Sequence, residues 1–386
     1  MEYDTILNLT YEAYFDCRKN KRRKHTSIHF NWNYEEEIGK LVRELCDKTY
    51  HPTTSVVFPV TRPKHREVFA SDFRDRVVHH LLMRQFSDIL DTEMISDSYN
   101  CRKGMGVFYG QKRLEDELHR ISKGYTRNAY VLSGDIEGFF MSIDVDRLWQ
   151  MLEVLIRDKY AGEDVEWWLW LFELVIKHRP ETDCTVHGDK TILDALPNNK
   201  TLMRNGDKGM PIGNYYVQIT GNYYLTPFDR MMQHVVGSDG FYCRFVDDFR
   251  VVSTDKRLLR KVAIEARRYL KDNLGLRMHH KKFSIMEARK GVNFIGCVIK
   301  PWGRYSSRRL VGNAVCAFHR DNQPIERMIA SYNSYMGFLT QSKSYAIRWQ
   351  LWKSKPQTLK DDIVCINMRK FALRDDLDNI HAMANS

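Results

Sequence analysis

Asp247 and Asp248 stand side by side in Tyr-Cys-Arg-Phe-Val-Asp-Asp-Phe-Arg-Val-Val, residues 242–252, with aromatic and β-branched residues on both flanks. That pattern predicts two short strands joined by a tight turn, with both carboxylates at its tip. Adjacent carboxylates repel unless a cation sits between them, and hard divalent ions take carboxylate oxygens before collecting substrate phosphates. The chemistry this implies is metal-assisted phosphoryl transfer. A solvated Asp-Asp turn is the plainer alternative for the dipeptide alone.

A second acid sharpens the choice. Residues 129–134 read as an apolar strand that ends on Asp135, a poor place for an idle charge and a good one for a third metal ligand. Upstream, Lys64 and Arg66 alternate on a segment expected to be extended, so both would point the same way, towards a triphosphate or towards solvent. Lys208 to Asn214 is a Gly-Pro-Gly loop before a helix expected over 215–234, where small residues let a backbone approach a nucleotide. Residues 278–282 form a basic turn, and 292–298 alternate as one strand.

The elements that must position these groups follow from periodicity. Helices are expected around Ile38–Leu45, Val77–Phe86, Leu114–Ile121 and Leu258–Leu270. The Trp-rich run 165–176 reads as a core helix rather than a base-stacking platform. Residues 180–208 are polar and read as a long loop or insertion, and the last eighty or so as basic and mainly helical. The densest basic run, 18–25, is a solvated arm or a nucleic-acid contact.

Composition sets the outer limits. At 386 residues with 43% hydrophobic content the chain can bury two or three subdomain cores. A formal charge of +11 and a pI near 9.1 favour a polyanionic partner. The eight cysteines include no Cys-x-x-Cys pair, which argues for reduced thiols in a cytoplasmic protein and against a disulfide framework or zinc knuckle. No signal-peptide pattern opens the chain, and the one long uncharged run, 209–228, is too polar to span a membrane. The adjacent histidines 79–80 and 279–280 suit structural or RNA-facing roles.

Taken in order, these pieces resemble the palm of a reverse transcriptase across most of the chain. Asp135 to Phe140 is similar to that family's first catalytic motif, Gly209 to Gln218 to its template-and-nucleotide loop, and Phe245-Val246-Asp247-Asp248 to its aromatic-x-Asp-Asp signature. Met278 to Lys282 and Val292 to Gly296 resemble the later palm motifs, including the primer grip. The resemblance implies an α+β right-hand polymerase fold: fingers over 1–124, palm over 125–150 and 209–304, a fingers/palm insertion over 151–208, and a helical thumb over 305–386. It also implies two Mg²⁺ ions held by Asp135, Asp247, Asp248 and the Ile136 carbonyl, with Lys282 (or Lys281) protonating pyrophosphate. Lys64, Arg66, Phe140, Ile212, Gly213 and Gln218 would then meet the nucleotide, Phe140 by excluding a 2′-hydroxyl. Arg102, Lys103, Arg244 and Gly296 would meet nucleic acid.

Within the family, the chain resembles bacterial diversity-generating retroelement enzymes and related defence-associated ones, and residues 75–80, 98–104 and 211–214 are similar to the first group's usual segments. Val217 before Gln218 departs from the first group, which carries Ser there. The implied partners are a template RNA, including a dedicated non-coding RNA, a primer or cDNA strand, dNTPs, and an accessory protein or a second copy of the chain. The competing readings are a template-independent or protein-primed polymerase on the same palm, and a non-catalytic RNA-binding scaffold.

Overall fold

The computed structural model describes residues 1–19, 25–61, 64–320 and 323–375. Most of the basic run 18–25 therefore lies outside the described residues. At the centre is a four-stranded antiparallel sheet in the order Phe241–Phe245, Asp248–Ser253, Tyr130–Asp135, Ser284–Glu287. Strand pleating sends alternate residues to opposite faces. Leu132, Tyr242, Phe249 and Val251 enter the large core, whereas Val131, Cys243 and Val252 enter a second one. Gly134 sits opposite Phe249, where a Cβ would come within 2.2 Å of the ring. The close approach of the two strands therefore requires glycine there.

Helices Thr226–Val236 and Lys256–Leu274 cover the first face. The latter starts at Asp255, whose carboxylate accepts from the Arg257 N–H at 2.7 Å, and stops at Gly275 in the left-handed region. The large core continues through helices Tyr3–Arg18, Tyr34–Cys46 and Phe73–Glu93 and the Trp-rich helix Val165–Ile176, whose rings are core. Helix Val107–Ile121 and the three-stranded sheet of Val292–Phe294, Cys297–Lys300 and Gly303–Ser306 build on the second face. Beyond it, helices Arg308–Phe318, Ile325–Leu339 and Tyr345–Lys353 close their own core, in which Phe318 stacks on Tyr332 at 4.0 Å.

Several expectations are corrected. The helix expected over 215–234 is two helices, Tyr215–Tyr224 and Thr226–Val236, because Pro227 falls in the first turn of the second and cannot continue the first. Residues 292–298 are two strands around a turn in which Ile295 and Gly296 both have positive φ, 47° and 80°. The tail contains a β-hairpin, Ile363–Ile366 with Lys370–Leu373.

Segment 180–208 is no free loop. Its strand Cys184–Val186 pairs in parallel with Ser55–Val57, beside strand Arg66–Ala70. Thr201 Oγ1 and the Leu202 N–H donate to the fully buried Glu67 carboxylate at 2.5 and 2.8 Å. At its far end the Gly209 N–H donates to the Ile143 carbonyl at 2.8 Å.

Candidate active site

Strands Phe241–Phe245 and Asp248–Ser253 pair Phe245 with Asp248, leaving a two-residue turn of Val246 and Asp247. Val246 has φ +58°, a region that β-branched residues avoid. On the neighbouring strand Asp135 pairs directly with Asp248. Cross-strand partners point to the same face, so these two carboxylates, 113 positions apart, become neighbours. Backbone bonds lock the corner: the Ile136 N–H donates to the Asp247 carbonyl at 3.0 Å, and the His279 N–H to the Asp135 carbonyl at 2.7 Å.

Two cations sit among the acids. Lys282 Nζ donates to both Asp135 oxygens at 2.6 Å, and Arg250 pairs with Asp248. Asp247 has no ion-pair partner among the described residues. Burial, and then the Asp135 charge, push its carboxyl up to about 6, while burial raises Asp248 against the pull of Arg250. Among the described residues no three Asp, Glu, His or Cys side chains form a ready-made metal cage. The reason is visible in the pairing, since Lys282 and Arg250 each turn one carboxylate towards themselves. The donor set is nonetheless all oxygen, partly buried and short of positive charge at Asp247, which suits a hard divalent ion.

The expected nucleotide-binding residues fall in segments 64–66, 140 and 212–218, and of these Lys64 is tied to the acids by its electrostatics. Lys64 is in the bend between two strands, not on a strand with Arg66 as the alternation suggested; Arg66 opens strand Arg66–Ala70. The Lys64 ammonium is lowered chiefly by Lys282, then by burial, against the pull of Asp135, which places it by the acids. Phe140 lies half-buried in the short helix Phe139–Ser142, its ring against Gly221, where a Cβ would be 2.9 Å away. Its carbonyl accepts from the Met210 N–H at 2.8 Å. Ile212 packs beside the cluster of Val57, Phe69 and Met141, and its carbonyl accepts from the Phe69 N–H at 2.8 Å.

Gly213 (φ +125°) abuts the Phe69 carbonyl, which a Cβ would approach to 2.2 Å. Gly213→Ala is accordingly expected to cost about 1–3 kcal/mol, read as a lowered urea midpoint. Gln218 accepts from Asn100 Nδ2 at 3.2 Å.

Two expected nucleic-acid contacts are corrected. Arg244 is fully buried: it pairs with Asp229 and donates to Asn222 and to the Val246 carbonyl. Arg102 is 7% exposed at its side chain and clasps Asp91 and the Ile95 and Ser98 carbonyls. Their guanidinium donors are spent inside the protein. Lys103 is exposed in its loop, and Gly296 forms the turn whose carbonyl accepts from the Ser307 N–H at 3.0 Å. Sequence reading missed Arg250 and Glu67. Arg250 had a signal, since a strand puts residues 248 and 250 on one face; Glu67 had none, because its partners lie 134 and 135 residues on.

Residues 62–299 match the model of the reverse transcriptase (RNA-dependent DNA polymerase) family. No curated protein matches the chain. Among solved structures it is similar to apo telomerase from Candida tropicalis truncated from its C-terminal domain (10% identity, TM-score 0.49, covering 72% of this chain and 60% of that one). It is also similar to Candida albicans telomerase in complex with a telomeric RNA fragment (11% identity, TM-score 0.47, covering 83% and 59%). The chain thus spans about three fifths of the length of these structures. The match to the family model runs through Lys64, Asp135, the Asp247–Asp248 hairpin and Lys282, and the chain belongs to the reverse transcriptase family.

Proposed function

We propose that this chain copies an RNA template into DNA by nucleotidyl transfer at the Asp135–Asp247–Asp248 corner. The observation that carries the reading is the direct pairing of Asp135 with Asp248 beside the unpaired Asp247, inside the segment that matches the family. Asp135, Asp247 and the Ile136 carbonyl would hold two Mg²⁺ ions, with Asp248 adjusting the charge. Bound there, such ions supply activation of a primer 3′-hydroxyl and neutralise charge on the departing pyrophosphate.

The chain's own groups do the rest. Lys64 and Arg66 neutralise and orient the triphosphate. Lys282, the nearest ammonium to Asp135, delivers a proton to the leaving pyrophosphate oxygen. Ile212, Gly213 and Gln218 flank the templating pair, and Lys103 and Gly296 steady the strands. Phe140 closes the space beneath the sugar, so Phe140→Ala is expected to raise ribonucleotide incorporation relative to dNTPs by about 10-fold or more, measured as the ratio of kcat/KM values. An unchanged ratio would remove Phe140 from sugar selection.

The deciding experiment is primer extension on RNA template with dNTPs and Mg²⁺, comparing wild type with Asp247→Asn. Equal extension by the variant would rule out the assigned site. Product made without template would favour the template-independent or protein-primed alternative, and no product from either protein would favour the scaffold.

We assign fingers to 1–124, palm to 125–150 and 209–304, the insertion to 151–208 and thumb to 305–386. The motifs at 75–80, 98–104 and 211–214 support a bacterial diversity-generating retroelement, Val217 before Gln218 leaves anti-phage defence open, and the scattered cysteines support a cytoplasmic setting, with a dedicated RNA and an accessory protein or second copy as partners. No described helix is long and apolar enough to cross a membrane.

A further inference from the structure

Helix Lys256–Leu274 carries seven Lys and Arg against two acids, a net +5 of the chain's formal +11. Its apolar stripe, Leu259, Val262, Ala266 and Leu270, is fully buried in the large core. The opposite face exposes Lys256, Arg257, Arg260, Lys261, Arg267, Arg268 and Lys271. Among the described residues only Arg268 of these has a carboxylate partner, Glu265 at 2.6 Å. At 1.5 Å per residue the cationic face from Lys256 to Lys271 is about 22 Å long, with one or two charges on most turns. Holding that many like charges in line without partners is electrostatically unfavourable, so a polyanion is the natural complement.

The location separates this face from the acids. Asp135 and Asp248 share strand parity with Val131 and Val252, whose side chains enter the second core. The helix packs on the other face, with Leu132, Phe249 and Val251. It begins with Lys256 over the Tyr130 ring at 4.7 Å, at the strand end remote from Asp135. It ends beside the catalytic corner, where the Glu137 N–H donates to the Arg277 carbonyl at 2.8 Å. Exposed Arg277, His280 and Lys281 then prolong the track towards Lys282.

We propose that this face is a second nucleic-acid surface, which binds the sugar–phosphate backbone of a duplex, such as a folded part of an RNA, behind the sheet that carries the active site. Three features select that occupant. The charges form a long straight row, as a rod-like polyanion requires. Ile264 is the only large apolar side chain exposed along the row, whereas a helix lying on a lipid surface needs its apolar face free, and here that face is used by the core. No aromatic ring is exposed along it for stacking unpaired bases, which leaves backbone contacts to a duplex. The surface needs no chemistry at the acids, so it stands or falls separately from the polymerase reading.

The test combines Arg257→Gln, Arg260→Gln, Lys261→Gln and Lys271→Gln in the full chain, none of which touches the corner. Binding of a blunt RNA hairpin of about 20 base pairs is measured against salt, with a DNA hairpin of equal length and anionic vesicles alongside. We expect hairpin affinity at moderate salt to fall by about 10–100-fold and the log–log salt slope to drop by about 3, with kcat on saturating pre-annealed template–primer unchanged. Equal loss on both hairpins marks a reader of duplex backbone, and loss on RNA alone identifies RNA as the source. Arg257→Lys with Arg260→Lys should retain binding. An unchanged hairpin affinity would overturn the proposal. So would loss confined to vesicles, or an equal loss of template–primer affinity, which would assign the face to the active-site cleft.

Discussion

Asp247→Asn protein is expected to lose primer extension by about 10³-fold or more and, at neutral pH, to melt at a higher temperature than wild type. Both effects come from the same carboxylate. In the folded chain its proton is held up to about pH 6, against an ordinary value of 3.8, because burial and Asp135 disfavour the charge. Between those two values the unfolded chain has released the proton while the folded chain keeps it. Stability therefore falls as pH rises through the window, and the full penalty, on the order of 1–3 kcal/mol, stands above pH 6.

Asparagine removes the ionisation and with it the penalty. The variant's melting advantage should be near zero at pH 4, grow through pH 5 and level off above pH 6. Mg²⁺ should raise the melting temperature of wild type more than that of the variant, because binding to the folded state is stabilising in proportion to affinity. A melting difference between variant and wild type that is the same at pH 4 and pH 7 would show that Asp247 carries no such burden.

Arg244→Lys is expected to slow extension by about 10-fold and raise the Mg²⁺ concentration needed for half-maximal rate, and Val246→Gly in the same chain should recover most of the loss. Arg244 donates to Asp229, to Asn222 at 3.1 and 3.2 Å, and to the Val246 carbonyl at 2.8 Å, all from one planar fork. A lysine ammonium can keep the charge pair but cannot span the whole set. Val246, held at φ +58°, would then be free to relax out of a conformation that costs about 1–2 kcal/mol, carrying Asp247 with it. Glycine adopts that conformation without strain, so it should make the guanidinium dispensable for the turn.

Val246→Gly alone should be nearly neutral. Arg244→Ala is the blunter variant: it strands the buried Asp229 charge and should cost about 3–5 kcal/mol of stability. A double variant no faster than Arg244→Lys would mean that the arginine braces the core and not the turn.

What could be read from the chain followed the range of the interactions involved. Asp247, Asp248 and the strand-terminal Asp135 announce themselves locally, as charges where apolar strands end. The helix around Leu258–Leu270 is legible because its stripe repeats within a few turns. Arg244 is not legible as a buried residue, because four of its contacts run to Asp229 and Asn222, on two helices that periodicity alone does not separate. Pro227 did mark that break, so the missed boundary was available. The Ile295–Gly296 turn is hidden because Val292, Phe294 and Val298 are apolar with one parity, whereas the buried residues change parity across the turn, from Val292 and Phe294 to Cys297 and Ile299. Lys64 lies beyond the reach of the alternation, in a bend that nonetheless brings it near Lys282 and Asp135. Segment 180–208 has no periodicity to show, since it is ordered by distant partners.

Those partners give the segment a mechanical meaning. Asp183, His187, Thr201 and Leu202 each fasten it to residues between Thr54 and Glu67, Asn199 packs close against Gly138, and the adjoining Gly209 donates to the Ile143 carbonyl just past the short helix Phe139–Ser142. It acts as a tie-rod between strands Ser55–Val60 and Arg66–Ala70, whose connecting bend carries Lys64, and the short helix Phe139–Ser142. An engineer trimming this enzyme to a minimal form should spare it. A shortened version would be expected to fold around its larger core yet let the Lys64 bend and the Phe139–Ser142 helix drift apart.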